Sequence, residues 1–429
     1  MKIQNVKGGY DYTPKEQRIR NYINDTLRSI FERFGYNPIE TPILCYYDIL
    51  SDKYDEDSDI LNEIYKLTDQ GNRALGLRYD LTVPFAKFIA LNKNELRMPF
   101  KRYEIAKSFR DGPVKVGRDR EFTQCDIDVV GIGGELIEAE LLSIFDAAFK
   151  ELDIPIIIKY NNRKLMTGLI IENGATTAII PAITTILDKL EKISEEEILD
   201  SLLKQGLDRV NALNLLSSFK LSLDELNEKY KNTNNETLKE GLVEINNLTN
   251  YLKSLDLLNI CVFTPSLARG QNYYTGNVFE VYDAEFRITS SIGAGGRYDN
   301  MITNFIDDGE QYPAVGISFG LSALYEILKN RECFNEKSNI DIFIIPMNTR
   351  VESLRLANTL RKLNYKVEIE LTDKKLKKSI AYADKEKIPY VIILGEDELN
   401  NNKFKIKDML NQKEFEISFE NIEKVKEIL

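Results

Sequence analysis

Apolar positions divide the chain into stretches of different periodicity. In TPKEQRIRNYINDTLRSIFERFG the residues Ile19, Ile23, Leu27 and Phe31 recur every four positions, which places them on one face of a helix. Thr13 and Glu16 have the spacing of a capping box, Pro14 suits the first turn, and Gly35 supplies the stop. YNPIETPILCYY follows as a proline-punctuated extended segment. From Arg73 to about Val130 the text is strand-like with loops: RALGLRYDLTVP, PFKRYEIAKSFRDG and REFTQCDIDVVG. Short strands without regular helices between them predict an antiparallel sheet.

From about Met166 to Leu257 the segment is rich in Leu, Ile, Asn, Glu and Lys and reads as helices. SEEEILDSLLKQG carries its own capping box at Ser194 and Glu197. Strand-like text returns in NICVFTPSLARG, NVFEVYD and RITSSIGAGGRYDN, and YPAVGISFGLSALYEILKN turns from strand to helix. The helical stretch, residues 166–257, is therefore expected to be an insertion within a domain spanning 1–330. A linker at 331–339 precedes a unit at 340–429. There IDIFIIP, YKVEIEL, PYVIILG and KFKIKDM read as strands, the first three alternating with helices. That βαβαβ order predicts a small α/β domain with a largely parallel sheet.

Composition narrows the chemistry. At 429 residues the chain needs more than one core. No apolar run reaches membrane-spanning length, and the N-terminus lacks the apolar core of a signal peptide, so a cytoplasmic protein is expected. The four cysteines form no C-x-x-C pair, which argues against a disulfide framework or zinc site. A net charge of −11 confines any nucleic-acid contact to local patches. Histidine is absent altogether. Without imidazole there is no histidine base, no Ser-His or Cys-His pair and no His-bound metal. Chemistry driven by positioning and electrostatics remains, with phosphoryl or adenylyl transfer foremost.

Several constellations fit that chemistry. Arg110 follows a strand and precedes a charged, glycine-containing loop; its fork of donors suits a phosphate. Phe122 on the returning strand would stack on a base, and Phe122, Gln124, Asp126 and Asp128 share one strand face. A row of polar residues on one face requires partners, for which a polar ligand is suited; the alternative is a solvated hairpin. Asp80 and Thr82 are spaced to share a strand face and hold an amino group or ring nitrogen, or else Asp80 caps a turn. Gly293, Gly295 and Gly296 before Arg297 allow close backbone approach, as a site or as a bulge or tight turn. Lys374, Lys375, Lys377 and Lys378 cluster near a helix start, suited to a phosphate backbone or simply to solvent.

In this order the segments resemble those of histidyl-tRNA synthetases, a class II aminoacyl-tRNA synthetase family. LARGQNYYTG and GAGGRYDN look like the two histidine-specific signatures. FGYNPIETPIL, SFRDGPVKVGRDREF and AVGISFGL look like class II motifs 1, 2 and 3, and ADKEKIPYVIILGEDE resembles text of the anticodon-binding domain. The resemblance implies an α+β fold: an antiparallel sheet with flanking helices and a helical insertion, plus a C-terminal α/β anticodon-binding domain. It implies ligation of histidine to its tRNA through a histidyl-adenylate, with ATP as substrate, Mg²⁺ accompanying it, and a homodimer.

It also implies roles. Arg110 and Arg269 are the catalytic arginines, both touching histidine. Asp80, Leu81, Thr82, Gln124 and Asp128 surround the amino acid, and Tyr273 and Tyr274 wall the imidazole pocket. Arg110, Arg120 and Phe122 bind ATP; Lys115 and Arg118 meet the tRNA acceptor end. The sequence departs from the family pattern at several places. Ser322 and Ala323 replace the Glu-Arg of motif 3, Asn272 replaces the signature's aspartate, Gly112 stands at a common glutamate position, and Asp80 stands where many bacterial members carry glutamate. The alternatives are a non-charging, histidine-binding paralogue such as a regulatory subunit of ATP phosphoribosyltransferase, and a class II synthetase for another amino acid. Such regulatory paralogues generally lack the anticodon-binding domain.

Overall fold

The structure, a computed structural model, describes residues 3–51, 59–114, 117–190, 192–268, 273–331, 334, 338–372 and 374–429. The chain forms two compact units, Met1–Lys329 and Asn330–Leu429.

The strands of the first unit, in chain order, are β1 (Asn37–Pro38), β2 (Leu44–Tyr46), β3 (Lys66–Thr68), β4 (Ala74–Leu77), β5 (Phe100–Phe109) and β6 (Glu121–Val130), then β7 (Ile156–Asn162), β8 (Cys261–Phe263), β9 (Asn277–Asp283), β10 (Gly293–Arg297) and β11 (Ala314–Gly320). Eight of them form one sheet in the order β1-β5-β6-β11-β10-β9-β7-β8, while β2, β4 and β3 form a small second sheet. Within the large sheet the outermost pairings, β1 with β5 and β7 with β8, are parallel; the five inner pairings are antiparallel.

Period-two alternation decides which face of the sheet is core. On β6, Cys125, Ile127 and Val129 are buried, and on β11 the ring of Phe319 packs against Phe31, Phe145 and Phe149. Those three rings belong to the helices Pro14–Arg33 and Leu136–Glu151. The residues between them, Gln124, Asp126 and Asp128 on β6 and Ser318 on β11, therefore point to the opposite face. The first helix begins as its sequence dictates, with the Thr13–Glu16 capping box formed and Gly35 at φ +80° just past its end.

The helical insertion consists of Arg163–Glu172, Ile180–Leu187, Glu195–Lys204, Arg209–Ser218, Leu223–Tyr230 and Glu236–Ser254. The Ser194–Glu197 capping box is present. The first and last of these helices cross so closely at Gly241 that a Cβ there would overlap the backbone of Leu165. A polar chain ties this pair to the sheet. The Asn162 amide donates to Glu244 at 2.7 Å and to the Asn277 side chain at 2.9 Å, and Asn277 in turn donates to Glu138.

Two local expectations are corrected. Asp80 and Thr82 do not share a strand face, and the alternative holds instead: β4 ends at Leu77, Asp80 caps a turn and Thr82 opens the helix Thr82–Asn92. Pro84 lies within that helix's first turn, where its missing N–H costs nothing. Glycine-rich GAGGR is neither bulge nor turn but a regular, fully buried strand in the sheet interior, paired on both sides.

The second unit has strands β12 (Ile342–Pro346), β13 (Val367–Ile369), β14 (Tyr390–Leu394), β15 (Lys403–Asp408) and β16 (Lys413–Ser418), in the sheet order β13-β12-β14-β15-β16. Pairings of β12 with β13 and β14 are parallel; those of β15 with β14 and β16 are antiparallel. The sheet is thus evenly mixed rather than largely parallel. β16 is an edge strand whose KEFEIS alternation leaves one face to solvent, and the hairpin turn before it uses Gln412 at φ +54°.

Candidate active site

The polar face of the sheet forms the floor of an open cavity of about 260 Å³. Sequence-predicted residues from four separate segments line it: Asp80 and Thr82; Arg110 and Arg118; Phe122, Gln124 and Asp128; Tyr273 and Tyr274. Leu81 is not among them. It is fully buried, and its carbonyl accepts from Arg102 at 3.3 Å. Arg120 is also absent from the lining; it pairs with Asp111 at 3.2 Å and donates to the Gly112 carbonyl. Arg269, Asn272 and Lys115 lie outside the described residues.

One end of the cavity is cationic and aromatic. The Arg110 guanidinium lies 4.5 Å from the Tyr79 ring and 4.4 Å from the Phe122 ring. The two rings hold the fork in place, while Arg110 Nε is buried without a partner. Arg118 donates to the carboxylate of Glu63 at 2.8 Å. Glu63 also accepts from Tyr79 at 3.2 Å and fills the space beside Gly112, where a Cβ would lie 2.7 Å from its oxygen. Gly112 therefore has a carboxylate at its side, delivered from the helix Asp59–Glu63. Ser322 donates to Asp119 at 3.0 Å, and Ala323 leaves the nearby wall short.

The other end is anionic. Asp80 closes the turn into its helix, accepting the N–H groups of Thr82 at 3.2 Å and Val83 at 3.1 Å. Asp128 pairs with Arg102 at 2.6 Å and accepts the Tyr298 hydroxyl. Arg102 is fully buried, stacked 4.4 Å from Phe85. Burial raises Asp128 above the usual carboxylate range, and Arg102 opposes that rise. Burial pushes Asp126 up to about 7, Arg102 again opposing and Asp128 adding to it. The Tyr273 ring lies tilted at 48° to Tyr274 with centroids 4.6 Å apart and meets Tyr298 edge-on at 6.0 Å.

Sequence reasoning placed Asp126 in the ligand-facing row of β6 without giving it a role and left out Tyr298, Ser318 and Gly316, although all four line the cavity. The signal for Asp126 was present in the alternation of β6. Gly316 matters through what it lacks, since it stands across from Asp128 in the sheet register and any side chain would displace that carboxylate.

Cationic and anionic ends of one cavity over a mostly antiparallel sheet with flanking helices, joined in the same chain to a separate α/β unit, describe a class II aminoacyl-tRNA synthetase. The chain belongs to the histidyl-tRNA synthetase family. The family described as "Histidyl-tRNA synthetase" matches residues 8–324, and that described as "Anticodon binding domain" matches residues 341–427. The chain is 44% identical to "Histidine--tRNA ligase 1" of Bacillus cereus over 427 residues, covering 98% of this chain and 99% of that one. It is 41% identical to "Histidine--tRNA ligase 2" of Shouchella clausii, covering 97% and 98%. Among solved structures, histidyl-tRNA synthetase from Nostoc sp. PCC 7120 superposes with a TM-score of 0.87 at 29% identity over the full length of both chains. Among the described residues, no helix is long and apolar enough to cross a membrane.

Proposed function

We propose that this protein ligates histidine to its tRNA, with both reactive steps at the cavity over β6 and β11. The histidine carboxylate attacks the α-phosphate of ATP. A carboxyl oxygen–phosphorus bond forms, the bond to the bridging oxygen of the β-phosphate breaks, and pyrophosphate leaves. A hydroxyl of the terminal adenosine of the tRNA then attacks the adenylate's carbonyl carbon; the ester bond forms as the bond from that carbon to the phosphate oxygen breaks, and AMP leaves while the hydroxyl proton passes to solvent. The observation that carries this reading is the polarity of the cavity. A ring-held arginine, Arg110, faces one end, while carboxylates and tyrosines face the other. That polarity matches an amino acid whose carboxylate meets a nucleotide phosphate and whose ammonium and imidazole point away.

In this reading Arg110 holds the histidine carboxylate and the α-phosphate, and Phe122 stacks on adenine. Asp80, Thr82, Gln124 and Asp128 hold the ammonium group and its surroundings, with Tyr273 and Tyr274 walling the ring. Arg269 stabilises charge growing on the α-phosphate. Arg118, with Lys115, meets the acceptor end, and the Asn330–Leu429 unit reads the anticodon end. The described residues contain no group of three or more metal-ligating side chains. Mg²⁺ therefore fits as an ion held mainly by ATP's own phosphates, with at most a carboxylate or two from the protein. We further infer a cytoplasmic homodimer; the buried free thiols Cys45, Cys125 and Cys261 suit a reducing compartment.

The test is histidine-dependent ATP–pyrophosphate exchange with purified protein, followed by charging of tRNA. Both are expected. Exchange without charging, or bound histidine without exchange, would instead describe a histidine-binding paralogue.

A further inference from the structure

The connection from β8 to β9, residues 264–276, follows a route that the sheet dictates. β7 stands between these two strands, pairing in parallel with β8 and antiparallel with β9. The chain leaves β8 beside Tyr160 and enters β9 beside Asn162. It must therefore pass over the end of β7, where Asn161 lies. Arg269 belongs to this connection, and so do Tyr273 and Tyr274, which line the cavity.

The end of β7 holds both feet of the connection. At the first foot the Thr264 N–H donates to the Tyr160 carbonyl at 2.9 Å. The Asn161 amide then donates to the carbonyls of Pro265 at 2.6 Å and Leu267 at 3.1 Å. At the second foot the Gly276 carbonyl accepts the Arg163 N–H at 2.9 Å, and the Asn277 side chain accepts from Asn162. Asn161 differs from its neighbours in direction. Tyr160 and Asn162 bond to Thr249 and Glu244 on the helix Glu236–Ser254. Asn162 also reaches, through Asn277, Glu138 on the helix Leu136–Glu151 that covers the core face. The residue between them points the other way, to the cavity face.

Asn161 is 1% exposed. A connection without regular structure has to satisfy its buried carbonyls with side chains. An amide nitrogen has two protons, and Asn161 spends them on two carbonyls of this one segment. Pro265, Leu267 and Ala268 are buried as well, so the backbone is fixed as far as the residue before Arg269.

We propose that Asn161 is a positioning residue for adenylation. Its amide sets where the connection crosses the strand end, and through that the placement of the Arg269 charge against the reacting phosphate. The assignment rests on the role given to Arg269 above. Asn161 acts on rate, since a misplacement of about 1 Å in a catalytic group can cost about 10²-fold. Arg110 is held separately, between the rings of Tyr79 and Phe122, so binding of ATP there is spared.

The experiment is a double-mutant cycle in single-turnover adenylation at saturating histidine and ATP. It compares wild type, Asn161→Ala, Asn161→Leu, Arg269→Ala and the two double variants, with thermal melts to confirm folding. Asn161→Leu keeps nearly the native volume and lacks both donors, which separates hydrogen bonding from packing; either Asn161 variant carries the cycle if the other does not fold. Both should adenylate about ten- to a hundredfold more slowly than wild type, with the ATP KM within about twofold. In the Arg269→Ala background the same substitutions should cost less than about twofold, because a charge already removed cannot be misplaced. An equal loss in both backgrounds overturns the proposal, as does a wild-type rate for Asn161→Leu. If Arg269→Ala itself adenylates like wild type, the reading of Arg269 fails and the proposal with it, whereas an additive cycle refutes the proposal alone.

Discussion

Gly316 on β11 stands directly across the sheet from Asp128 on β6, and a methyl group on its Cα would overlap the Asp128 carboxylate. The glycine is what allows that carboxylate to reach both Arg102 and Tyr298. Gly316→Ala should push Asp128 off both partners and into the cavity. The added Cβ would also lie 2.9 Å from the Ile127 carbonyl, so the strands themselves must give slightly. We expect the histidine KM to rise by about tenfold or more, the equivalent of one good hydrogen bond, while the ATP KM changes little. Titrating histidine in the exchange assay, with a melt to confirm folding, checks this; an unchanged histidine KM would contradict the role given to the glycine.

Arg269 is assigned to charge that exists fully only as the carboxylate attacks phosphorus. Arg269→Ala should therefore leave histidine binding, measured by equilibrium dialysis, nearly as in wild type. Adenylate formation should fall by about 10²–10³-fold, the usual cost of one transition-state donor. Single-turnover adenylation at the wild-type rate would remove Arg269 from the chemistry.

The contrast between Asp126 and Glu138 shows where sequence is informative. Alternation along β6 is local, so the shared face of Phe122, Gln124, Asp126 and Asp128 could be read directly. The first helix, the helical insertion and the βαβαβ order carry equally local signals in caps and periodicity. For Asp80 and Thr82 the sequence left open a shared strand face or a turn capped by Asp80, and the cap is what forms, the Asp80 carboxylate accepting from the N–H groups of Thr82 and Val83. Glu138 and Arg297 meet at 2.5 Å although 159 positions separate them. Arg102 and Asp128 likewise meet only because β5 and β6 pair. Nothing in the neighbourhood of either residue announces its partner. The same holds for Glu63 beside Gly112, a contact made by a helix far from the motif loop in sequence.

That Glu138–Arg297 pair supports a prediction of its own. Glu138 is 1% exposed and also accepts from Asn277, which continues through Asn162 into the helical insertion. Arg297 keeps Asp299 at 3.0 Å and the carbonyl of Gly134 at 2.8 Å as further partners. Glu138→Ala would strand the guanidinium's Nε and the Asn277 amide together. Breaking one side of a buried pair costs about 3–5 kcal/mol, and the remaining partners of Arg297 place this case toward the lower figure. Chemical denaturation of the full chain should show the loss in the transition of the Met1–Lys329 unit. A midpoint indistinguishable from wild type would mean that the pair contributes nothing net.

Burial also makes the ligand-free protein sensitive to pH in a defined direction. Asp126 and Glu138 are each pushed up to about 7, burial being the larger cause in both. In the unfolded chain they titrate near about 4. Between those values the folded state binds more protons than the unfolded state, so stability falls as pH rises. Their contribution is greatest below the unfolded value and is lost as pH passes through about 7. Thermal melts without ligand, from about pH 5.5 to 8, should therefore show a declining midpoint over this window, which lies above the range where ordinary carboxylates titrate. Asp126→Asn, neutral throughout, should flatten that decline and melt above wild type at the alkaline end. Wild-type and variant curves that run parallel across the window would show that Asp126 does not titrate there.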